Sequence, residues 1–321
     1  MNVLSLFDGI SCGKLALEKV GIKPNNYFAS EIDSNAISVS KYNYPSIIQI
    51  GDVSKVNYRN NILYTENGEF YVDNIDLLIG GSPCQGFSRN GLGLNFNDKR
   101  SKLFFEFVRI LKEVKPKYFL LENVKMKKEY EKIISNYLEV DPIEINSKLL
   151  SAQNRERLYW TNIPNVTIPM DKGIKLIDIL EEVDTFNFIN YKGLLVDNKY
   201  RKDEIDLIDN VNEEVRIKQS VKKGYIVANN GDGINLTFPK SKTRRGRVIK
   251  SKSSCLDCSC DIGVYYNGII RKFTLTELEK LQTIPIGYTK CLNESNRKKC
   301  IGNGWTVDII AHIFKGLKIE E

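Results

Sequence analysis

Apolar positions in the first half of the chain follow two alternating rhythms. Short, nearly continuous apolar runs at 2–7, 27–31, 47–50, 75–80 and 118–124 have strand length, while apolar residues at 14–20, 103–114 and 127–138 recur at helical spacing. Strands apolar on both faces and separated by helices predict a largely parallel sheet in an open α/β fold. Two further strand-like runs, 143–150 and 158–163, close this part. From about 164 to 268 the alternation gives way to polar, irregular sequence, and over 269–321 helical periodicity returns. We therefore expect a domain over 1–163, a second, smaller domain over 164–268, and a C-terminal part, 269–321, that rejoins the first.

The candidate chemistry sits where each apolar run ends. The first empties into Asp8-Gly9-Ile10-Ser11-Cys12-Gly13, a turn that sets free backbone N–H groups and a helix N-terminus beside a ligand. The second ends in Glu31, about twenty residues on, the offset at which a carboxylate reaches ribose hydroxyls. The third is followed by Asp52, which reads equally as an acceptor for an adenine amino group or as the N-cap of the next helix. The run at 75–80 leads into Gly80-Gly81-Ser82-Pro83-Cys84-Gln85, where the glycines allow close backbone approach and Pro83 fixes one φ angle. Cys84 is thus presented as a nucleophile at a strand end, the alternative being a buried small hydrophobe. The run 118–124 carries Glu122 to its end, as a proton donor or as a capping glutamate. Gln153, Arg155 and Arg157 alternate in the next turn, which can aim both guanidinium groups to one side or leave them as solvated charge. A glycine turn around Asn303 precedes the final helix, and either completes a cofactor pocket or caps that helix.

Composition narrows the partners. The net charge is +7, which favours a polyanion, and Lys240, Lys242, Arg244, Arg245, Arg247, Lys250 and Lys252 cluster with no acid among them, as phosphate contacts would. A solvated basic loop is the plain alternative. No run is long and apolar enough to span a bilayer and no export signal opens the chain, so we expect a cytoplasmic protein with no membrane partner. The odd count of 7 cysteines, without framework spacing, argues for free thiols. Cys255, Cys258 and Cys260 have no second ligand pair and the single histidine, His312, falls in an amphipathic helix, so no metal is expected.

Taken together, these residues resemble the DNA (cytosine-5) methyltransferases over nearly the whole chain and in the family's motif order. Phe7-x-Gly9 is similar to the cofactor loop, Ser82-Pro83-Cys84-Gln85 to the nucleophile loop, Glu122-Asn123-Val124 to the catalytic acid motif and Gln153-x-Arg155-x-Arg157 to the arginine motif. Arg271-x-x-Thr274-x-x-Glu277 and Gly302-Asn303 are similar to the two segments beyond the target-recognition region. The resemblance implies a Rossmann-like, S-adenosylmethionine-dependent sheet carrying a second, target-recognition domain. It implies a catalytic set of Cys84, Glu122, Arg155 and Arg157. For the cofactor it implies Phe7, Gly9, Ile10, Glu31, Asp52, Val53, Pro83 and Asn303, and for double-stranded DNA it adds Gln85 and Ser88 to Lys240, Lys242, Arg244, Arg245 and Arg247. A monomer, with room for a cognate restriction endonuclease, is the expected assembly. One departure is that Ser11-Cys12 stand where many bacterial members carry Gly-Gly, which bears on the backbone approach to the methionine part of the cofactor. The competing readings are an RNA cytosine methyltransferase on the same frame, a catalytically silent DNA-binding accessory protein and, at the level of fold alone, a nicotinamide dehydrogenase. The long 164–268 segment favours duplex DNA over the first, the complete catalytic set argues against the second, and the Pro-Cys-Gln loop leaves little room for the third.

Overall fold

A computed structural model describes residues 1–82, 102–182 and 215–318. Strands β1 (Asn2–Leu6), β2 (Asn26–Ser30) and β3 (Ile48–Gln49) run parallel, linked by helices α1 (Cys12–Lys19) and α2 (Ser34–Asn43). The chain then makes a small antiparallel meander, β4 (Asn57–Arg59), β5 (Ile62–Thr65) and β6 (Gly68–Tyr71), which the apolar pattern did not announce. Its strands are short and mostly exposed, with Leu63 as their buried anchor, so they offer no run long enough to read. β7 (Leu77–Gly80) returns to the main sheet on the other flank of β1, followed by α3 (Lys102–Val114), β8 (Tyr118–Val124), α4 (Lys128–Leu138), β9 (Ile143–Asn146) and β10 (Glu156–Thr161). The order is β3-β2-β1-β7-β8-β10-β9, with β10 antiparallel to both of its neighbours.

Alternation along the strands explains why both faces are covered. Val3, Tyr27, Ala29, Leu77, Ile79 and Leu120 point into a layer with α1 and α2, while Leu4, Leu6, Phe28, Leu78, Phe119 and Leu121 point into a layer with α3 and α4. Phe107 is fully buried in the second layer, and truncating it to alanine would cost about 3–5 kcal/mol.

The second unit holds a hairpin, β11 (Val215–Lys218) with β12 (Tyr225–Ala228), and a sheet of β13 (Asp232–Asn235), β14 (Val248–Ile249), β15 (Ile262–Tyr266) and β16 (Ile269–Lys272) in the order β14-β13-β15-β16. The boundary expected at 268 falls inside this sheet. Asn267 and Gly268, with φ of 48° and 81°, form a two-residue hairpin turn between β15 and β16, so the unit's sheet continues to Lys272.

Three helices then return to the first layer: α5 (Leu275–Leu281), α6 (Glu294–Asn303) and α7 (Val307–Phe314). Thr274 and Glu277 cap α5 reciprocally, and the buried Arg271 clasps the same Glu277 at 2.7 and 2.8 Å. The expected glycine turn around Asn303 is shorter than the sequence suggests, because α6, capped by Asn293, continues through Gly302 to Asn303. Gly302 is needed there for clearance, since a Cβ would run into the Asp257 carbonyl. Among the described residues no helix is long and apolar enough to cross a membrane.

Candidate active site

Crossovers leave β1 and β7 in opposite directions, so a crevice opens at the carboxyl ends of these neighbouring strands. A cleft of about 830 Å³ lies there, lined by Phe7, Gly9 and Ile10 after β1, Glu31 after β2, Gly81 and Ser82 after β7, and Glu122 on β8.

The loop after β1 takes left-handed φ angles at Phe7 (57°), Gly9 (60°) and Ser11 (60°). Such a backbone suits glycine and costs other residues on the order of 1 kcal/mol or more. Ser11 recovers part of that through its hydroxyl, 2.5 Å from Asp8 Oδ2 and 2.7 Å from Ser40 Oγ. Asp8 is buried beneath the loop and also accepts from Ser5 Oγ at 2.6 Å and Tyr27 OH at 2.7 Å. Burial pushes its pKa up to about 6 even though all three hydroxyls pull it down. Burial likewise pushes the Cys12 thiol up to about 12, which leaves it an inert core residue.

Glu31 accepts Gly9 N–H on Oε2 at 2.8 Å, and Ile32 and Asp33 N–H on Oε1 at 2.8 Å each. With roughly four lone-pair positions on a carboxylate, one on Oε2 stays available to the cleft. Gly9 itself has open space where a Cβ would stand. Asp52 N-caps the turn 53–55, accepting Ser54 N–H and Oγ–H on Oδ1, so the capping alternative is realised. Val53 is buried in the α3 layer, and neither residue lines the cleft.

Glu122 is 9% exposed and is held by two donors. Arg157 Nε lies 2.8 Å from Oε1, and the indole Nε1 of Trp305 lies 3.2 Å from Oε2. Burial alone would lower the Arg157 pKa, but the charge of Glu122 and then Cys255 outweigh it and hold the guanidinium above its usual range. Trp305 was not anticipated, since nothing in a tryptophan after a Gly-Asn-Gly turn signals a partner on β8. Asn123 ties β8 to the end of β7 through Ser82 O (3.4 Å) and Oγ (3.2 Å). Pro83, Cys84, Gln85 and Ser88 lie outside the described residues.

Arg155 lines the cleft but spends most of its donors inside the protein. It is 4% exposed, NH1 donates to Leu256 O at 3.0 Å and Cys255 Sγ at 3.4 Å, and NH2 donates to Gly304 O at 3.0 Å and Gly302 O at 3.4 Å. Its four terminal N–H bonds tie chain segments together, which leaves Nε–H of its five donors to the cleft that it lines. Gln153, fully buried, joins the same tie through Leu281 O, Gln282 Oε1 and Leu256 N–H. Asn303 lines the cleft and accepts the Cys258 thiol at 3.0 Å.

The basic cluster divides. Arg247 is 0% exposed and donates to Thr237 O and Phe238 O, so its expected place on a phosphate is not met. Burial, followed by the charge of Arg244, lowers its pKa. Lys250 pairs with Asp232 at 2.7 Å, and Lys252 donates to the carbonyls of Lys148, Ser151 and Ile174. Arg244 donates to Asn235 Oδ1 and stacks over Phe238, whereas Lys240, Lys242 and Arg245 face outward. Sequence reasoning also passed over the neighbouring β11–β12 hairpin, where Lys218, Lys222 and Lys223 are exposed and Ser220 N–H joins the hairpin to Arg244 O. Among the described residues no His, Cys, Asp or Glu group is arranged to hold a metal.

A doubly wound sheet with an acid and a guanidinium converging on its switch-point cleft defines an α/β protein with an enzyme-like site. The fold is shared with a DNA modification methyltransferase encoded within an E. coli prophage (TM-score 0.64, 23% identity, 98% of each chain) and with the methyltransferase EhMeth of Entamoeba histolytica (TM-score 0.64, 19% identity, 99% of each chain). Residues 1–319 match the model of the C-5 cytosine-specific DNA methylases, and the chain belongs to that family. Among its relatives, the type II methyltransferase M1.ScrFI of Lactococcus lactis subsp. cremoris is 29% identical over 96% of this chain and 76% of its own. The orphan methyltransferase M.Rho11sI of Bacillus phage rho11s is 34% identical over 54% of this chain, a match spanning 35% of that protein.

Proposed function

We propose that the chain methylates C5 of a cytosine flipped out of a specific duplex DNA sequence, using S-adenosylmethionine and a covalent bond between Cys84 and C6 of the base. The observation that carries this reading is the convergence of Glu122, held by Arg157, with the end of β7 in one cleft. Ser82 lines that cleft, and the two residues from there to Cys84 span at most about 7 Å.

The described residues fit the cofactor. Open space beside Gly9, the remaining acceptor position on Glu31 and the partly buried Phe7 make a cradle for an adenosine, with Glu31 taking the ribose hydroxyls. Asp52 lies outside the lining of the cleft, but both its capping bonds fall on Oδ1, so Oδ2 is the oxygen that an adenine amino group extending beyond that lining would meet. When bound, S-adenosylmethionine supplies an electrophilic methyl group. The Cys84 thiolate adds to C6, and the ring's electron pair moves toward C5 while charge builds at N3. Glu122 places a proton at N3 and Arg157 holds that carboxyl in place. After C5 has taken the methyl group, a base removes the C5 proton and the thiolate leaves C6. None of this can occur in a stacked duplex, and flipping costs a few kcal/mol, which contacts from Lys240, Lys242, Arg245 and the β11–β12 lysines would offset. The type II name of the relative M1.ScrFI supports a cognate restriction endonuclease as a partner.

Fluorine at C5 cannot leave as a cation. Duplex DNA of mixed sequence containing 5-fluorocytosine, incubated with the enzyme and S-adenosylmethionine, should therefore give a denaturant-resistant protein–DNA adduct. Cys84→Ser should give none. An adduct with matched fluorinated RNA alone would overturn the DNA assignment, and an undiminished adduct from Cys84→Ser would overturn the nucleophile.

A further inference from the structure

We infer that Trp305 is the positioning residue that aims Glu122 at the flipped base, an inference that rests on Glu122 being the proton donor proposed above. A carboxyl group held by one donor can still turn about its terminal torsion. Here Arg157 Nε holds Oε1 at 2.8 Å and Trp305 Nε1 holds Oε2 at 3.2 Å, so the plane of the group is fixed from two sides. Both partners are donors only. A proton on Glu122 thus finds no acceptor in either of these partners, and among the described residues its remaining direction is the cleft, where an unprotonated ring nitrogen of the substrate would stand.

The two donors are themselves anchored. Arg157 NH1 donates to Glu156 O and NH2 to Cys255 Sγ. On one side of Trp305, Gly304 O accepts from Arg155 and Gln282; on the other, Thr306 Oγ1 bonds Gln282 Oε1 and Ser147 Oγ. The indole is seated between two glycines. A Cβ at Gly13 would come within 3.6 Å of Trp305 Cζ3, and one at Gly81 would stand 2.9 Å from Nε1 and 3.1 Å from Glu122 Oε2. Gly81 is therefore required for the contact. It clears the space through which indole and carboxyl meet.

The test uses the whole chain, labelled S-adenosylmethionine and duplex DNA. Trp305→Phe keeps the ring and removes the N–H. Loss of a hydrogen bond to a charged group predicts a kcat roughly ten- to a hundredfold lower. KM for cofactor and for DNA should stay within about twofold, because neither touches the lost bond. In a Glu122→Gln background the same substitution should cost nothing further, whereas a merely structural tryptophan would multiply the two losses. A second measurement does not depend on that variant folding. The chain has 2 tryptophans, and the Trp160 indole donates to Ser135 Oγ at 3.0 Å. Glu122→Gln should shift one of two 15N-indole signals and leave the other in place. Full activity of Trp305→Phe, multiplicative losses in the double variant, or two unmoved indole signals would overturn the inference. An inactive wild type, or an undiminished Glu122→Gln, would instead overturn the proposed function.

Discussion

The stretches 153–157 and 240–252 both bring cations to the middle of the molecule, and they use them in opposite ways. In the first, Arg155 meets backbone carbonyls and Arg157 meets a carboxylate, so both guanidiniums are consumed inside the protein. In the second, Arg247, Lys250 and Lys252 are consumed in the same manner while Lys240, Lys242 and Arg245 stay at the surface. What separates the two fates is the supply of acceptors. Irregular chain segments that meet in the interior leave carbonyls without ladder partners, and a buried carbonyl needs a donor as much as a buried cation needs an acceptor. A basic stretch is therefore evidence for polyanion binding only after its inward members have been subtracted.

The largest effect expected from this contrast belongs to Arg155. Arg155→Ala strips donors from the carbonyls of Leu256, Gly302 and Gly304, and should cost about 4 kcal/mol in urea unfolding. A variant as stable as the wild type would show that these carbonyls find water easily.

Asp8 sharpens the comparison from the acidic side, because its carboxyl is buried among hydroxyls, with no cation beside it among the described residues. Burial sets its folded pKa at about 6 against an ordinary 3.8. Between those values the folded state binds more protons than the unfolded state, so this group lowers stability as pH rises from about 4 to 6, by up to about 3 kcal/mol, and by a constant amount above that. Asp8→Asn lacks this dependence. Followed by denaturation at pH 4, 5, 6 and 7, the stability of the variant relative to wild type should rise through the window and then level. An identical gap at pH 4 and pH 7 would rule out titration of Asp8 there.

A smaller effect would break the comparison most directly. Replacing Lys240, Lys242 and Arg245 by alanine should flatten the slope of log K against log salt on duplex DNA by up to about three, whereas Arg247→Ala should leave the slope alone and lower stability by about 2 kcal/mol. Equal slopes for the two variants would mean that the inward and outward cations are not distinct populations.

Much of the sheet was legible because its central strands are buried on both faces and so write uninterrupted apolar runs. Gly9, Glu31 and Glu122, which line the cleft, stand out in the sequence too, the first in a glycine turn after an apolar run and the two acids at or near the ends of such runs. The meander at 57–71 was not, since strands three or four residues long with one buried residue resemble loop. Nor could the sequence pair Arg157 with Glu122. That pairing depends on the antiparallel register of β8 and β10, which sets Tyr159 opposite Glu122 and Arg157 opposite Val124, leaving the arginine diagonal to the acid. Trp305 meets Glu122 across 183 positions of sequence, and the two fates of the basic stretch depend on carbonyls contributed by distant segments.

The C-terminal segment closes over α1 through α7, whose Asp308 meets Lys19 at 2.5 Å, and over the loop before α1 through Tyr288 OH to Ile10 O at 2.8 Å. In time this means that α1 is made well before the helices that cover it. At roughly 5–20 residues per second, the apolar face of Leu15 and Leu17 waits on the order of tens of seconds for α7 to leave the ribosome. Trp305 is made in the same stretch as α7, so a nascent chain that already carries Glu122 holds that acid without the indole until 183 further residues have been added.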